Sequence, residues 1–188
     1  MRRAFAILIA VILLLAGCGT PVTPKQGVLP ASDGPHSDYD VMFLQMMISH
    51  QEQGLEMLEL GRAKAVREDV VNLAGAIDVT EAEEVQTMRT WLSSWNVPVV
   101  TVSDPGNHAA HGAQPATGPA ELKALQDATG TDFELKFLNL LIAHQHNAVE
   151  MAQQQALNGQ NAAVKKLAER IELSRTQQIK QMLALVSG

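Results

Sequence analysis

Phe43-Leu44-Gln45-Met46-Met47-Ile48-Ser49-His50-Gln51-Glu52-Gln53-Gly54-Leu55-Glu56-Met57 decides the fold, because the chain returns to it as Phe137-Leu138-Asn139-Leu140-Leu141-Ile142-Ala143-His144-Gln145-His146-Asn147-Ala148-Val149-Glu150-Met151. The offset is 94 positions, and it holds without a gap from Ser37–Leu92 against Thr131–Val186. Phe43, Ile48, His50, Gln51, Glu56, Met57, Leu73, Ala74, Ile77 and Met88 all meet an identical residue at that offset. A constant register over so long a stretch marks a duplicated unit. Phe43, Met46 or Met47, His50, Gly54 and Met57 share one face at helical spacing, so each copy opens with an amphipathic helix.

Working outward, Ser37-x-x-Asp40 is a weak relative of the capping box and places the first helix start at Ser37 or Asp38. Lys64 to Glu68 breaks the apolar pattern and predicts a turn. A second helix follows from about Asp69, with Val70, Leu73, Ile77, Glu81, Glu84 and Met88 along one stripe, ending near Trp91 to Trp95. In the second copy Thr131-x-x-Glu134 reads as a full capping box. The third long helix runs from there to about Leu157, and Asn158-Gly159-Gln160-Asn161 is a turn. The fourth, about Ala162 to Leu185, carries Val164, Leu167, Ile171, Arg175, Gln178 and Met182 on the equivalent face. The fold expected is all-α: a four-helix bundle made of two duplicated helical hairpins, residues 37–92 and 131–186. The connector, 93–130, holds β-prone Val97 to Val102, the turn Asp104-Pro105-Gly106-Asn107, His108 and His111, and a short helix after Pro119.

The chain has 188 residues, enough for one domain with its own core. Its N-terminus reads differently from the rest. Arg2 and Arg3 precede an apolar run from Ala4 to Leu15, too short for a comfortable membrane span, so residues 1–17 are expected to be a signal peptide. The run ends in Leu15-Ala16-Gly17-Cys18, which resembles a bacterial lipobox with Cys18 as the acylated residue. Cys18 is also the only cysteine, which excludes an internal disulfide. Residues 18–36, rich in proline and glycine, are expected to form a flexible tether with a solvated His36. The formal net charge is −6, and it grows more negative when Arg2 and Arg3 leave with the signal. A folded surface of that sign does not seek nucleic acid or anionic lipid, so the membrane partner is expected to be reached through the acyl anchor.

The candidate site comes from hairpin arithmetic. A first turn near residue 66 puts His50 level with Glu81 to Glu84, and Met46 or Met47 within a turn of Met88. Thioether with imidazole is a soft-to-borderline donor set that suits copper, Cu(I) above all. The candidate metal ligands are therefore Met46, Met47, His50, Glu84 and Met88, with His144 and Met182 as counterparts in the second half. A di-iron centre needs Glu-x-x-His on two helices, whereas Met47 and Leu141 stand three before His50 and His144. A structural zinc site lacks cysteines. Other readings of the same residues are methionines that fill the core, and Glu81 and Glu84 paired with Arg175 across the bundle. His146 is expected to face away from His144, and Trp91 and Trp95 to cover a bundle end.

The double pattern Phe-Leu-x-x-Met-Ile-x-His-x-x-x-Gly/Ala-hydrophobic-Glu-Met, each followed by Leu-Ala-x-x-Ile and a later Met, resembles the bacterial "domain of unknown function 305" family over Ser37 to Val186. The resemblance implies a ferritin-like bundle, an extracytoplasmic location and, as in some members, copper bound through His and Met. The chain differs where that family has His-His: here stand His50-Gln51 and His144-Gln145. A usual Gln-x-x-Glu is Glu81-x-x-Glu84 in one half and Arg175-x-x-Gln178 in the other. The expected function is a membrane-anchored, extracytoplasmic copper-binding protein of metal sequestration or resistance. The alternative is a metal-free helical interaction module tethered to the membrane, its protein partner unspecified. No nucleophile triad or catalytic carboxylate pair is evident, so an enzyme is not expected.

Overall fold

The computed structural model describes residues 31–99 and 117–187. The signal peptide, Cys18, His108 and His111 lie outside the described residues. Five helices follow in order: α1 (Asp38–Lys64), α2 (Glu68–Ser94), α3 (Pro119–Asp127), α4 (Gly130–Asn158) and α5 (Ala162–Ser187). Among the described residues there is no strand. The architecture is all-α, with α1 packed on α2, α4 on α5, and α1 on α4. No described helix is long and apolar enough to cross a membrane.

α1 and α4 run antiparallel. Asp40 meets Gln155, His50 meets His144, and the backbone of Gly61 lies against the ring of Phe137. This pairing divides the core into two apolar clusters that are copies of each other. The first holds Phe43, Leu44, Met47, Val85 and Met88. Their partners 94 positions later, Phe137, Leu138, Leu141, Ile179 and Met182, all lie in the second. The exchange is reciprocal, since Leu58, Val70, Ala74 and Ile77 of the second correspond to Ala152, Val164, Ala168 and Ile171 of the first. The duplication is thus expressed as an approximate two-fold relation between hairpins.

The helix ends follow the same symmetry and correct one expectation. Ser37 and Asp40 make a complete capping box, with both reciprocal bonds present. The Thr131/Glu134 box does not form. α4 starts at Gly130, and its N-cap Thr129 makes no side-chain bond. Glu134 instead reaches across to the first turn, where its Oε1 accepts from the backbone N–H of Val66 (2.6 Å) and Arg67 (2.5 Å) and its Oε2 pairs with Arg67 Nε (2.9 Å). Those N–H groups stand at the N-terminus of α2, where helix-start donors lack intrahelical partners and a carboxylate is favoured. Asp40, 94 positions earlier, does the same for the second turn, accepting from Gln160 N and Asn161 N at 3.1–3.2 Å. Tertiary contact won over the local motif because each carboxylate satisfies two backbone donors that would otherwise be stranded.

The described part of the predicted tether is docked rather than free. Ser32 is buried, and its carbonyl accepts from Trp95 Nε1 and Asn161 Nδ2. His36 is exposed at its edge but stacks on Trp95, with ring centroids 4.1 Å apart. Trp91 and Trp95 close this end of the first cluster, as their spacing predicts.

Candidate functional site

Between the two clusters lies a buried layer of polar side chains on the approximate two-fold axis. Its centre is the pair His50 and His144, whose rings stack at 3.7 Å with an interplanar angle of 5°. They occupy the same place in the two copies, and the antiparallel α1–α4 contact brings them face to face. His50 Nε2 lies 3.1 Å from the backbone oxygen of His144 and donates to it. Neither ring nitrogen of His144 makes a well-formed hydrogen bond, the His50 backbone giving only a weak contact, although the ring is only 1% exposed. Burial above all, then the neighbouring His50 and Arg175, holds the His144 imidazole well below the usual histidine pKa, with partial relief from the His50 backbone. The ring is therefore neutral at pH 7.

Around the histidines stand Glu81 and Glu84 from α2, Gln51 from α1, Gln145 from α4 and Arg175 from α5. Arg175 is fully buried, with Nη2 2.6 Å from Glu84 Oε2 and Nε 3.6 Å from Glu81 Oε1. Gln51 Nε2 donates to Glu84 Oε2, and Gln145 Nε2 to Glu81 Oε1, both at 2.8 Å. The two carboxylates face one guanidinium, which leaves Glu81 the less compensated. Burial pushes its carboxyl up from the ordinary range, against the opposing pull of Arg175 and Gln145. Gly54 makes the layer possible. A Cβ at that position would lie 2.7 Å from Glu81 Oε2 and 2.8 Å from His144 Nε2, so the missing side chain is the space these two groups use.

The predicted ligands are distributed as follows. His50, His144 and Glu84 do share the layer, but Glu84 is engaged by Gln51 and Arg175. Met47 and Met88 both belong to the first apolar cluster. Met182 lies in the second cluster with Met57. Met46, one turn before His50, is 7% exposed and belongs to neither cluster, and His50 is 8% exposed. Among the described residues, no three His, Cys, Asp or Glu side chains are grouped so as to hold a metal ion. His146 is exposed, facing away from His144 as its spacing indicates. Sequence reasoning gave Gln51, Gln145 and Gly54 no role in the site, although the repeat matched the two glutamines to each other.

The residues that form this frame also match a described family. Residues 40–186 fit the family whose description is Domain of unknown function (DUF305). The chain belongs to the DUF305 family. Solved DUF305 structures superpose on it: the protein from Streptomyces coelicolor is 28% identical over 79% of this chain and 92% of its own, with a TM-score of 0.73. A DUF305 fragment from Deinococcus radiodurans is 25% identical over 82% of this chain and 99% of its own, at 0.72. CopM, solved in a Cu(II)-bound form, is 29% identical over 79% of this chain and 95% of its own, at 0.68. Its Cu(I)-bound form gives 28% identity and 0.67. No curated protein matches the sequence.

Proposed function

We propose that this DUF305 chain is an extracytoplasmic copper-binding protein, held to the membrane by acylation of Cys18, with its long helices forming a ferritin-like four-helix bundle, and that it serves metal sequestration or resistance as a binder and not as an enzyme. The observation that carries the reading is the likeness to CopM, whose structures include Cu(I)- and Cu(II)-bound forms, across 79% of this chain. The Streptomyces coelicolor relative, described as a candidate secreted protein, supports the location. So does the Leu15-Ala16-Gly17-Cys18 segment.

The interior does not fit copper. Arg175 supplies a fixed positive charge beside Glu81 and Glu84, and Met47, Met88 and Met182 are enclosed by apolar side chains. The soft donors that fit better are Met46 and His50, one helical turn apart on α1 and both at the margin of the core. They would supply a thioether and an imidazole.

A Cu(I) competition titration on the full chain tests this. Met46→Leu and His50→Ala should each weaken binding at least tenfold, whereas Met88→Leu and Met182→Leu should leave it unchanged. Loss confined to His108 and His111 variants would move the site to the connector. No bound copper in any form of the protein would leave the metal-free interaction module, which the Arg175 ion pairs favour by filling the layer.

A further inference from the structure

The two copies differ at one matching place on their surfaces. In the first, Asn96 takes a positive φ of 58° and turns the chain back at the end of α2, where Val97 N–H donates to Leu92 O at 2.9 Å. Residues 97–99 then pass over α1 without regular structure. Val97 and Val99, with Val41 of α1, pack against the first apolar cluster, and Gln45 Nε2 donates to Pro98 O at 2.9 Å. Val97-Pro98-Val99 is thus an uncharged strap, fixed by two apolar side chains and one carbonyl. Proline suits it, because its missing N–H leaves no donor to satisfy.

At the 94-residue offset, Val41 corresponds to Leu135 and Gln45 to Asn139, both on α4. Here the same face is open. Leu135 is 51% exposed, and Asn139 Nδ2 donates to the carbonyl of Leu135 within its own helix at 2.8 Å. The two residues line a groove between α3 and α4 to which Ala124, Leu125, Leu140 and Ala143 add apolar surface. Asp132 and Lys136 on its rim pair with each other, and the Glu121 carboxylate folds back over Gly118. The groove therefore offers apolar contact and one amide, with its ion pair already closed.

We propose that this groove docks an extended, uncharged, proline-containing segment of a partner protein, received as the first copy receives its own Val97-Pro98-Val99. Apolar side chains of the segment would lie on Leu135 and Leu140, and one of its carbonyls would accept from Asn139 Nδ2. That amide is free to exchange partners, since the Leu135 carbonyl keeps its place in the helical ladder. A charged segment is rejected, because nothing on the apolar wall compensates a desolvated charge. The proposal concerns the outer face of α4 and stands apart from copper binding at Met46 and His50.

The probe is the capped peptide acetyl-Trp-Asn-Val-Pro-Val-amide, the sequence of residues 95–99, titrated into the full chain and followed by amide NMR shifts. Shifts should move saturably at Leu135, Asn139 and Ala143, with a Kd below about 1 mM. Leu135→Asp, at an exposed position, should keep the fold and weaken binding about tenfold through loss of one apolar contact. A peptide with serine in place of both valines should not bind. Absence of shifts at millimolar peptide overturns the proposal, as do shifts confined to Val41 and Gln45, which would mean exchange with the chain's own strap. The chain without peptide should sediment as a monomer; a dimer that Leu135→Asp dissociates would give the groove to a second copy and overturn it equally.

Discussion

Gly54→Ala isolates the packing of the polar layer from every other property of α1. In an exposed helix interior the change stabilises, since alanine is favoured over glycine by about 1 kcal/mol. Here the new methyl carbon would sit 2.7 Å from Glu81 Oε2 and 2.8 Å from His144 Nε2, where ordinary contact begins at 3.4 Å. Both groups must therefore retreat, Glu81 Oε2 by about 0.7 Å and His144 Nε2 by about 0.6 Å, and overpacking of this kind costs roughly 1–3 kcal/mol. Neither is free to do so cheaply. Glu81 is held by Gln145 at 2.8 Å and paired with Arg175, and the His144 ring is stacked on His50. Disturbing the Glu81 bond adds a cost, as hydrogen bonds to charged groups contribute about 1.5–3 kcal/mol. After the helix gain is subtracted, Gly54→Ala should destabilise by about 1–3 kcal/mol. Gly75→Ala is the control: it is also mid-helix, and nothing lies within 4 Å of its new carbon. It should stabilise by about 0.5–1 kcal/mol. Urea denaturation of both variants at pH 7, followed by circular dichroism, gives the difference directly. Equal stability of the two, or a Gly54→Ala variant more stable than the parent, would refute the assignment of that space to Glu81 and His144.

The remaining expectations concern charge. Asp40→Ala should cost about 2–3 kcal/mol at pH 7, because it strands the Gln160 and Asn161 N–H groups, and Glu134→Ala should destabilise through the matching turn. Burial alone would raise both carboxyls, but the bonds from Ser37, Gln155 and Gln160 to Asp40, and from Arg67 and Val66 to Glu134, lower them below 3.8 and 4.5. Their contribution is thus present above those values and lost as pH falls through the lower folded ones, so each variant should converge on the parent in acid titrations of the denaturation midpoint. His144 has the same sign: the unfolded chain takes up a proton below 6.5 that the folded chain refuses. Stability should fall by up to about 1.4 kcal/mol per pH unit below that point, and His144→Gln should flatten the slope. Glu81 has the opposite sign, its stabilising proton being lost as pH rises through the raised folded value, and Glu81→Gln should remove that decline. Arg175→Met should cost about 3–5 kcal/mol in thermal or chemical melts, much of it recovered when Glu81→Gln and Glu84→Gln accompany it, because the penalty is that of unpaired buried carboxylates.

The turn carboxylates show where local reading stops. Ser37-x-x-Asp40 and Thr131-x-x-Glu134 are equivalent in the repeat, yet only the weaker-looking motif caps its own helix. Both acids nevertheless serve the turn of the opposite hairpin. A capping box is judged from four consecutive residues, whereas Glu134 is drawn to donors 67 and 68 positions away. The same limit applied to the methionines. Helical spacing and hairpin arithmetic identified an inward face and put Met46 or Met47 within a turn of Met88, but could not say that the partner hairpin contributes Ala148, Ala152 and Leu167 to the same cluster.

The sequence by itself determined the duplication, the long helices and their faces, the all-α class and the family, because a 94-residue offset and a helical period are properties of one strand of text. It also named His50, His144, Glu81, Glu84 and Arg175 as residues of the inward faces. Only the tertiary structure decided how those faces meet. The antiparallel contact of α1 with α4 laid His50 on His144, and the placing of α5 opposite α2 put one guanidinium between two carboxylates. Periodicity fixes which side of a helix is buried; the rotation and register of the neighbouring helix, set by the packing of all the side chains between them, fix which atoms touch.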